Sequence, residues 1–336
     1  MTNSYIISEI GNNHNGDLNK ALKLIAASAE AGANAVKFQS FRGIDIVTPH
    51  VKASEYKEWD VQYFEYWYQF LDSIALKLDD HQKAIDEAAR LGVDFITTPT
   101  SPYIVGYLET LHGISAYKIA SMDLNNVPLL EAVAKTGKPV ILSTGMGEMA
   151  EIRKAVGMFK GRQLTVLHCV SDYPLNPDMA CLNNIGLLKQ QFPGLDIGFS
   201  DHSLGHELCV AARCLGAVVF EKHITLDRNN SERAEHHFSL EPGEFRALVG
   251  WLHSIDVNLN NSEFSRSETE KINRKKYRRS YHYNADYSKG MLVSLDKLSL
   301  LRPGDGIDSQ DLPVLIGKPL VRDVKAYDPC SVTDTE

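Results

Sequence analysis

Three kinds of side chain in this sequence can do chemistry on a small anion: lysines with hydroxyl neighbours, a histidine pair and a carboxylate pair. Lys37 and Lys118 stand in the apolar segments NAVKFQSF and AYKIASMD, with Ser121 just beyond Lys118. Thr98, Ser143 and Ser200 stand in VDFITTPT, PVILSTGM and LDIGFSDH. Two ammonium groups among hydroxyls and loop N–H groups suit a phosphate or carboxylate, because cations and short donors complement a polyanion in a partly dry site. A single lysine of this kind more often reaches for solvent, whereas two in one layer with a ring of hydroxyls point to an anion site.

His202 and His223 end two successive apolar segments. Side by side, their imidazoles can reach one ion and leave positions open for water and substrate. Two imidazoles alone make a weak, exchangeable site. That suits Mn2+, or Mg2+ or Co2+, as a Lewis acid, and not a structural zinc with four protein ligands. Spacing equally allows two hydrogen-bonded structural histidines. His236 and His237 form a further pair, either ligands or solvated loop residues. Glu9 and Glu221 are carboxylates in an otherwise cationic set, able to act as general acid or base or to hold sugar hydroxyls. A salt bridge to Lys37 or Lys222 is the competing role. NHNGD (13–17) reads as a turn and lacks the spacing of a nucleotide-binding loop.

These residues can meet only if their segments are strands of one sheet. Eight short apolar runs, 4–11, 34–41, 93–100, 116–123, 139–146, 164–170, 195–202 and 218–226, read as strands, and amphipathic patterns between them read as helices. Buried strands that alternate with helices indicate a parallel sheet closed as a (β/α)8 barrel, a TIM barrel, whose chemistry sits at the C-terminal strand ends. Glu9, Lys37, Gln39, Thr98, Lys118, Ser121, Ser143, Ser171, Tyr173, Ser200, Asp201, His202, Glu221, Lys222 and His223 all fall there. An aromatic-rich excursion over 43–90 reads as a helical insertion at the mouth. Residues 1–256 form the barrel domain. The polar stretch 257–278 reads as a linker, and 279–336 as a small second domain built from the short strands MLVSLDKLSLL, LPVLIG and PLVRDV.

Composition narrows the class. The chain has 336 residues, 43% hydrophobic and 23% charged, which is ordinary for a globular protein and excludes a disordered or collagen-like chain. The net charge of −8 removes any overall cationic field for nucleic acid or an anionic membrane, so an anion must be bound locally. It also favours helix packing over base stacking for the aromatic insertion. The five cysteines are odd in number, scattered and without a C-x-x-C pair, which fits a reducing cytoplasm. No signal-peptide pattern and no run long enough for a membrane span is visible.

The segments ISEIGNNHNGD, AVKFQS, TTPTSP, YKIASMDL, GKPVILSTGM, LHCVSDYPLNP, GFSDHSLG, EKHITLDRN and FSLEP resemble, in order and spacing, the bacterial sialic acid (N-acetylneuraminate, nonulosonic acid) synthase family. YRRS, KGMLV and LLRPGDGI resemble that family's C-terminal antifreeze-like (SAF) domain. The resemblance implies condensation of phosphoenolpyruvate with the open-chain aldehyde of an N-acetylated hexosamine, giving phosphate and a nine-carbon 2-keto sugar acid. It implies phosphoenolpyruvate binding by Lys37, Thr98, Lys118, Ser121, Ser143 and Ser200, and metal binding by His202 and His223. Glu9, Gln39, Tyr173 and Glu221 are implied around the aldehyde and sugar, with Glu9 and Glu221 as the catalytic carboxylates. Arg302 is implied to reach the sugar across a domain-swapped homodimer.

The chain departs from the family pattern on the sugar side. Ser171 stands where many members carry Asn, Tyr277 where Phe is usual, and LDRNNSERAEHH replaces a loop of the LDRN-x-x-GPDH kind, so that Glu235 takes the place of a sugar-contacting Asp. Two other readings remain at this stage. One is a Schiff-base pyruvate aldolase using Lys37 or Lys118. The other is a noncatalytic sugar-binding protein, which has no need of polar clusters at seven of eight strand ends.

Overall fold

A computed structural model describes residues 3–56, 61–230, 235–259 and 263–335. The chain divides into two compact units, Met1–Asn260 and Asn261–Glu336. In the first unit, β1 (Tyr5–Gly11), α1 (Leu18–Ala31) and β2 (Ala35–Ser40) are followed by α2 (Gly43–Ile46), α3 (Trp67–Ile74) and α4 (His81–Leu91). Then come β3 (Asp94–Pro99), α5 (Pro102–Leu108), β4 (Ile114–Ile119), α6 (Val127–Thr136), β5 (Val140–Ser143), α7 (Met149–Met158) and β6 (Leu164–Cys169). The unit ends with α8 (Asn183–Gln191), β7 (Asp196–Asp201), α9 (Glu207–Cys214), β8 (Val219–His223) and α10 (Pro242–Leu259).

The eight strands form a closed barrel in sequence order, with β8 pairing back onto β1 in parallel. Local chemistry sets the repeats. Asp17 caps α1 by accepting from the Asn19 and Lys20 N–H groups at 2.7 and 3.3 Å. Gly32, Gly92 and Gly137 close α1, α4 and α6 in the left-handed conformation that a residue without Cβ adopts without strain. The excursion over 43–90 is only partly an insertion. Its described helices α2 and α3 pack their own apolar cluster around Phe41, Trp67, Phe70 and Ile74, whereas α4 packs against α1 as an ordinary barrel helix.

Side-chain alternation along each strand builds the site. Ile7, Ala35, Ile96, Ala116, Ile141, Leu167 and Val219 point inward as one apolar layer. Two residues further along the same strands come Glu9, Lys37, Thr98, Lys118, Ser143, Cys169 and Glu221. The remaining strand of the barrel, β7, has Gly198 in the lower layer, where a Cβ would lie 2.5 Å from the Leu167 side chain and closer still to the Val219 carbonyl. A larger residue there would collide with the barrel floor.

The opposite strand faces meet the helices. Phe38 and Phe95 stack at 5.2 Å within the main core. Asp201 and Lys222 share this outward parity, so they are not mouth residues, although they stand at strand ends. Lys222 Nζ donates to Asp201 Oδ2 at 2.8 Å and to the Ser203 carbonyl at 2.5 Å, with both side chains buried. Lys222→Met strands a buried carboxylate, so it is expected to destabilise the fold by about 3–5 kcal/mol. Activity per folded molecule should stay within a few-fold of wild type. Melting curves with specific activity check this, and an unchanged melting point contradicts it.

In the second unit, β9 (Ser280–Tyr283) and β10 (Leu298–Leu301) pair antiparallel over a small core of Tyr283, Val293, Leu298, Ile307, Leu315, Leu320, Val324 and Cys330. The segment read as a linker, 257–278, has its described residues largely in helix. Residues 257–259 finish α10, and α11 (Glu268–Tyr277) starts at Ser267, whose hydroxyl accepts from the Glu270 N–H at 3.1 Å. LPVLIG is not a strand but a short 3-10 turn over Leu312–Val314. MLVSLDKLSLL ends in β10, and its Leu292 bridges Pro319 of PLVRDV, whose Leu320 and Val324 bridge Thr335 and Tyr287.

Candidate active site

Lys37 stands at the centre of the polar layer. Its Nζ lies 2.8 Å from Glu9 Oε2 and 3.6 Å from Glu221 Oε2, and it donates to Thr98 Oγ1 at 3.2 Å. Lys118 Nζ is 3.7 Å from Glu221 Oε1, which also accepts from Ser200 Oγ at 2.9 Å. All these residues are buried. Ser121 Oγ accepts the Gly145 N–H at 2.9 Å, leaving its own proton to donate. Ser143 Oγ is buried without a hydrogen-bond partner, an arrangement that fits a donor meant for a ligand. The competing role for the carboxylates is thus realised for Lys37, which bridges Glu9 and Glu221, but not for Lys222, which is engaged elsewhere.

The two carboxyls are driven apart. Burial pushes Glu9 up, and Lys37 only partly offsets it, so its pKa lies above the ordinary value. Burial acts on Glu221 too, but Lys118 and Lys37 outweigh it and hold that carboxyl well below its ordinary range. A pair split in this way supplies one group able to carry a proton and one that stays charged. Burial also lowers Lys118, with Glu221 compensating only in part. Burial opposes charge on Lys37 as well, but Glu221 and Glu9 more than offset it.

The histidine pair lies at the β7 and β8 ends, ring centroids 5.5 Å apart. His202 Nδ1 is 2.9 Å from the Val170 carbonyl. A carbonyl only accepts, so Nδ1 carries the proton and Nε2 the lone pair. His223 Nδ1 faces Glu235 Oε2 at 3.2 Å. With Nδ1 of each ring turned to an acceptor, Nε2 of each remains for an ion, and the residues fit a divalent cation held by two imidazoles. Among the described residues no group of three or more His, Cys, Asp or Glu side chains is arranged to hold one. The Tyr173 ring lies 4.1 Å from that of His202, and the Phe238 ring 4.9 Å from that of His223.

His236 and His237 are engaged with separate partners. His236 is buried with Nδ1 2.7 Å from Thr225 Oγ1, and the His237 ring packs edge-on against Phe238. Arg302 lies in the second unit, its guanidinium 5.7 Å from the Tyr277 ring centre.

Several residues of this mouth carried no role in the sequence reading. Asn12 Nδ2 donates to Gln39 Oε1 and Gln39 Nε2 to Glu9 Oε1, both at 3.3 Å, so the 11–17 turn braces the first carboxylate. Asn13 Nδ2 ties the same turn to the Ile224 carbonyl at 2.7 Å. Cys169 shares the inward parity of Leu167, and that two-residue spacing was the available signal. Phe238 opens the FSLEP motif but has no strand spacing to mark it, because it reaches the histidines from a 3-10 turn beyond β8.

A model of the NeuB family matches residues 24–263. The N,N'-diacetyllegionaminic acid synthase of Campylobacter jejuni is 35% identical over 330 residues, covering 97% of this chain and 98% of that one. The same organism's pseudaminic acid synthase is 32% identical, with coverage of 96% and 94%. Among solved structures, the N-acetylneuraminic acid synthetase of Leptospira borgpetersenii, in complex with citrate, superposes with a TM-score of 0.71 at 33% identity, over 81% of this chain and 90% of that one. The chain belongs to the NeuB family.

Proposed function

We propose that this protein is a phosphoenolpyruvate-dependent synthase. It joins phosphoenolpyruvate to the open-chain aldehyde of an N-acetylated hexosamine, N-acetylmannosamine or a 2,4-diacetamido-trideoxyhexose, to give a sialic-acid-type 2-keto acid and phosphate. The observation that carries this reading is the buried layer in which Lys37, Lys118, Thr98, Ser143 and Ser200 stand with the two carboxylates Glu9 and Glu221, with half-buried Ser121 just beyond β4. The names of the relatives support the product class.

Lys37 and Lys118, with the four hydroxyls, bind the phosphate and carboxylate of phosphoenolpyruvate. Gln39, Tyr173, Glu221 and Glu235 line the acceptor side. A divalent ion at His202 and His223, Mn2+ in this reading, supplies Lewis acidity for the acceptor carbonyl when bound. C3 of the enol then forms the new bond to the aldehyde carbon, whose oxygen takes up a proton. Water adds to the cationic C2 and loses its proton to Glu9, the group whose environment favours carrying one. Cleavage of the C2–O bond releases phosphate, its charge held by Lys37, Lys118 and the hydroxyl donors, and leaves the 2-keto group.

The reading includes a cytoplasmic, domain-swapped homodimer in which the SAF-like second unit brings Arg302 to the partner's sugar. It rests on the motifs around YRRS and LLRPGDGI. Among the described residues no helix is long and apolar enough to cross a membrane. The test is phosphate release by purified protein with phosphoenolpyruvate, Mn2+ and a panel of 2-acetamido sugars. Release with one sugar identifies the acceptor, and none with any sugar sinks the reading.

A further inference from the structure

Glu235 holds a position that the acceptor side alone does not explain. Its side chain is half-buried, and its Oε2, itself buried, turns away from solvent toward the back of His223, 3.2 Å from Nδ1. Neither atom has a hydrogen bond in this arrangement. A buried carboxylate oxygen and a buried ring nitrogen left in that state are costly, and a small rotation of either side chain closes an N–H···O bond between them. Gly11 fixes where the carboxylate can sit. A Cβ at Gly11 would lie 2.7 Å from Glu235 Oε2 and 3.2 Å from Glu9 Oε1, and the residue has φ +52°, so both space and backbone call for glycine.

Comparison of the two histidines shows what Glu235 does. His202 gives its Nδ1 proton to the Val170 carbonyl, a backbone group built into the barrel. His223 ends β8 and has no such carbonyl on Nδ1. What faces its Nδ1 instead is the carboxylate of Glu235, a side chain twelve residues further along the chain. A carboxylate behind an imidazole selects the tautomer with Nδ1 protonated, aims Nε2 outward and strengthens it as a ligand.

We infer that Glu235 is the positioning residue of the metal centre, holding His223 in the Nε2-facing tautomer with Gly11 as its seat. The inference rests on the assignment of His202 and His223 as the ion's ligands. Oε2 serves the imidazole and Oε1 remains for the acceptor. The loop after β8 thereby governs how tightly this member of the family keeps its metal, in addition to which sugar it takes.

The test is Mn2+ binding to the full-length protein without substrates, read by calorimetry and by the electron paramagnetic resonance of free Mn2+. Alongside it, 15N shifts of the ring nitrogens in metal-free protein report the His223 tautomer. Glu235→Ala is expected to weaken Mn2+ binding about 10–100-fold and to shift His223 from the Nδ1–H form to a mixture. Glu235→Gln, which keeps an accepting oxygen, should recover most of the tautomer and part of the affinity. Gly11→Ala should weaken binding by displacing the carboxylate. Unchanged affinity and tautomer in Glu235→Ala, with wild-type protein binding Mn2+, overturns the inference alone. Failure of the wild-type protein to bind any divalent ion overturns it together with the assignment of the histidines. A circular dichroism melt of each variant separates either result from unfolding.

Discussion

Lys37→Met is expected to impair both folding and catalysis, whereas Lys118→Met should impair catalysis alone. Lys37 lies 2.8 Å from Glu9 and 3.6 Å from Glu221, all three buried, so its removal leaves two carboxylates facing one another without their shared cation. Breaking a buried pair from one side is expected to destabilise by about 3–5 kcal/mol. Lys118 approaches only Glu221, at 3.7 Å, and burial already disfavours its charge. Methionine fills nearly the same volume there, and Glu221 keeps Lys37 and the Ser200 hydroxyl. Both variants lose a cation from the phosphoenolpyruvate site, so kcat/KM should fall by about 10²–10³ in each. Urea midpoints and steady-state kinetics check the pair together. Equal destabilisation by the two substitutions, or full activity of Lys37→Met, contradicts the placement of Lys37 at the hub.

The second large effect belongs to the histidines. His223→Ala and His202→Ala are each expected to lower kcat/KM by about 10³, because a Lewis acid contributes several kcal/mol of transition-state stabilisation and 1.36 kcal/mol corresponds to a factor of ten. The double variant should be little worse than either single one, since both rings serve one ion and the loss of either ligand removes most of its effect. Multiplied losses in the double variant contradict that shared role. The measurement is kcat/KM across a metal titration. Aromatic packing of Tyr173 and Phe238 on these rings argues for alanine variants that remain folded, because the contacts are made at the mouth and not within the main core.

Much of this site is legible in the sequence because a barrel strand translates position into direction. Ile7 and Glu9, Ala35 and Lys37, Ile96 and Thr98, Ala116 and Lys118, Ile141 and Ser143, and Val219 and Glu221 are all spaced by two, so an apolar floor and a polar layer follow from one reading frame. The same rule shows where the reading fails. Strands buried on both faces are apolar throughout, so their pattern does not reveal which parity faces inward. Asp201 and Lys222 therefore pass for mouth residues until the structure places them behind the sheet in an ion pair of their own. Helix α11 was hidden for a different reason. Its stretch ETEKINRKKY has no apolar stripe, and the signal that remained was the Ser267 cap with Glu268 and Glu270 in the first turn. The approach of Glu235 to His223 joins residues twelve positions apart and depends on the space at Gly11, neither of which has a periodicity to read.

The reaction itself can be followed in one experiment. Purified protein is supplied with Mn2+, an acceptor sugar, and phosphoenolpyruvate bearing 18O in the oxygen that bridges C2 and phosphorus. Product and phosphate are then read by mass spectrometry and 31P NMR. The account predicts one phosphate per molecule of nine-carbon 2-keto acid, with the label in the phosphate, and no lysine adduct after borohydride. Absence of product, label retained on the sugar acid, or a trapped adduct on Lys37 or Lys118 contradicts it.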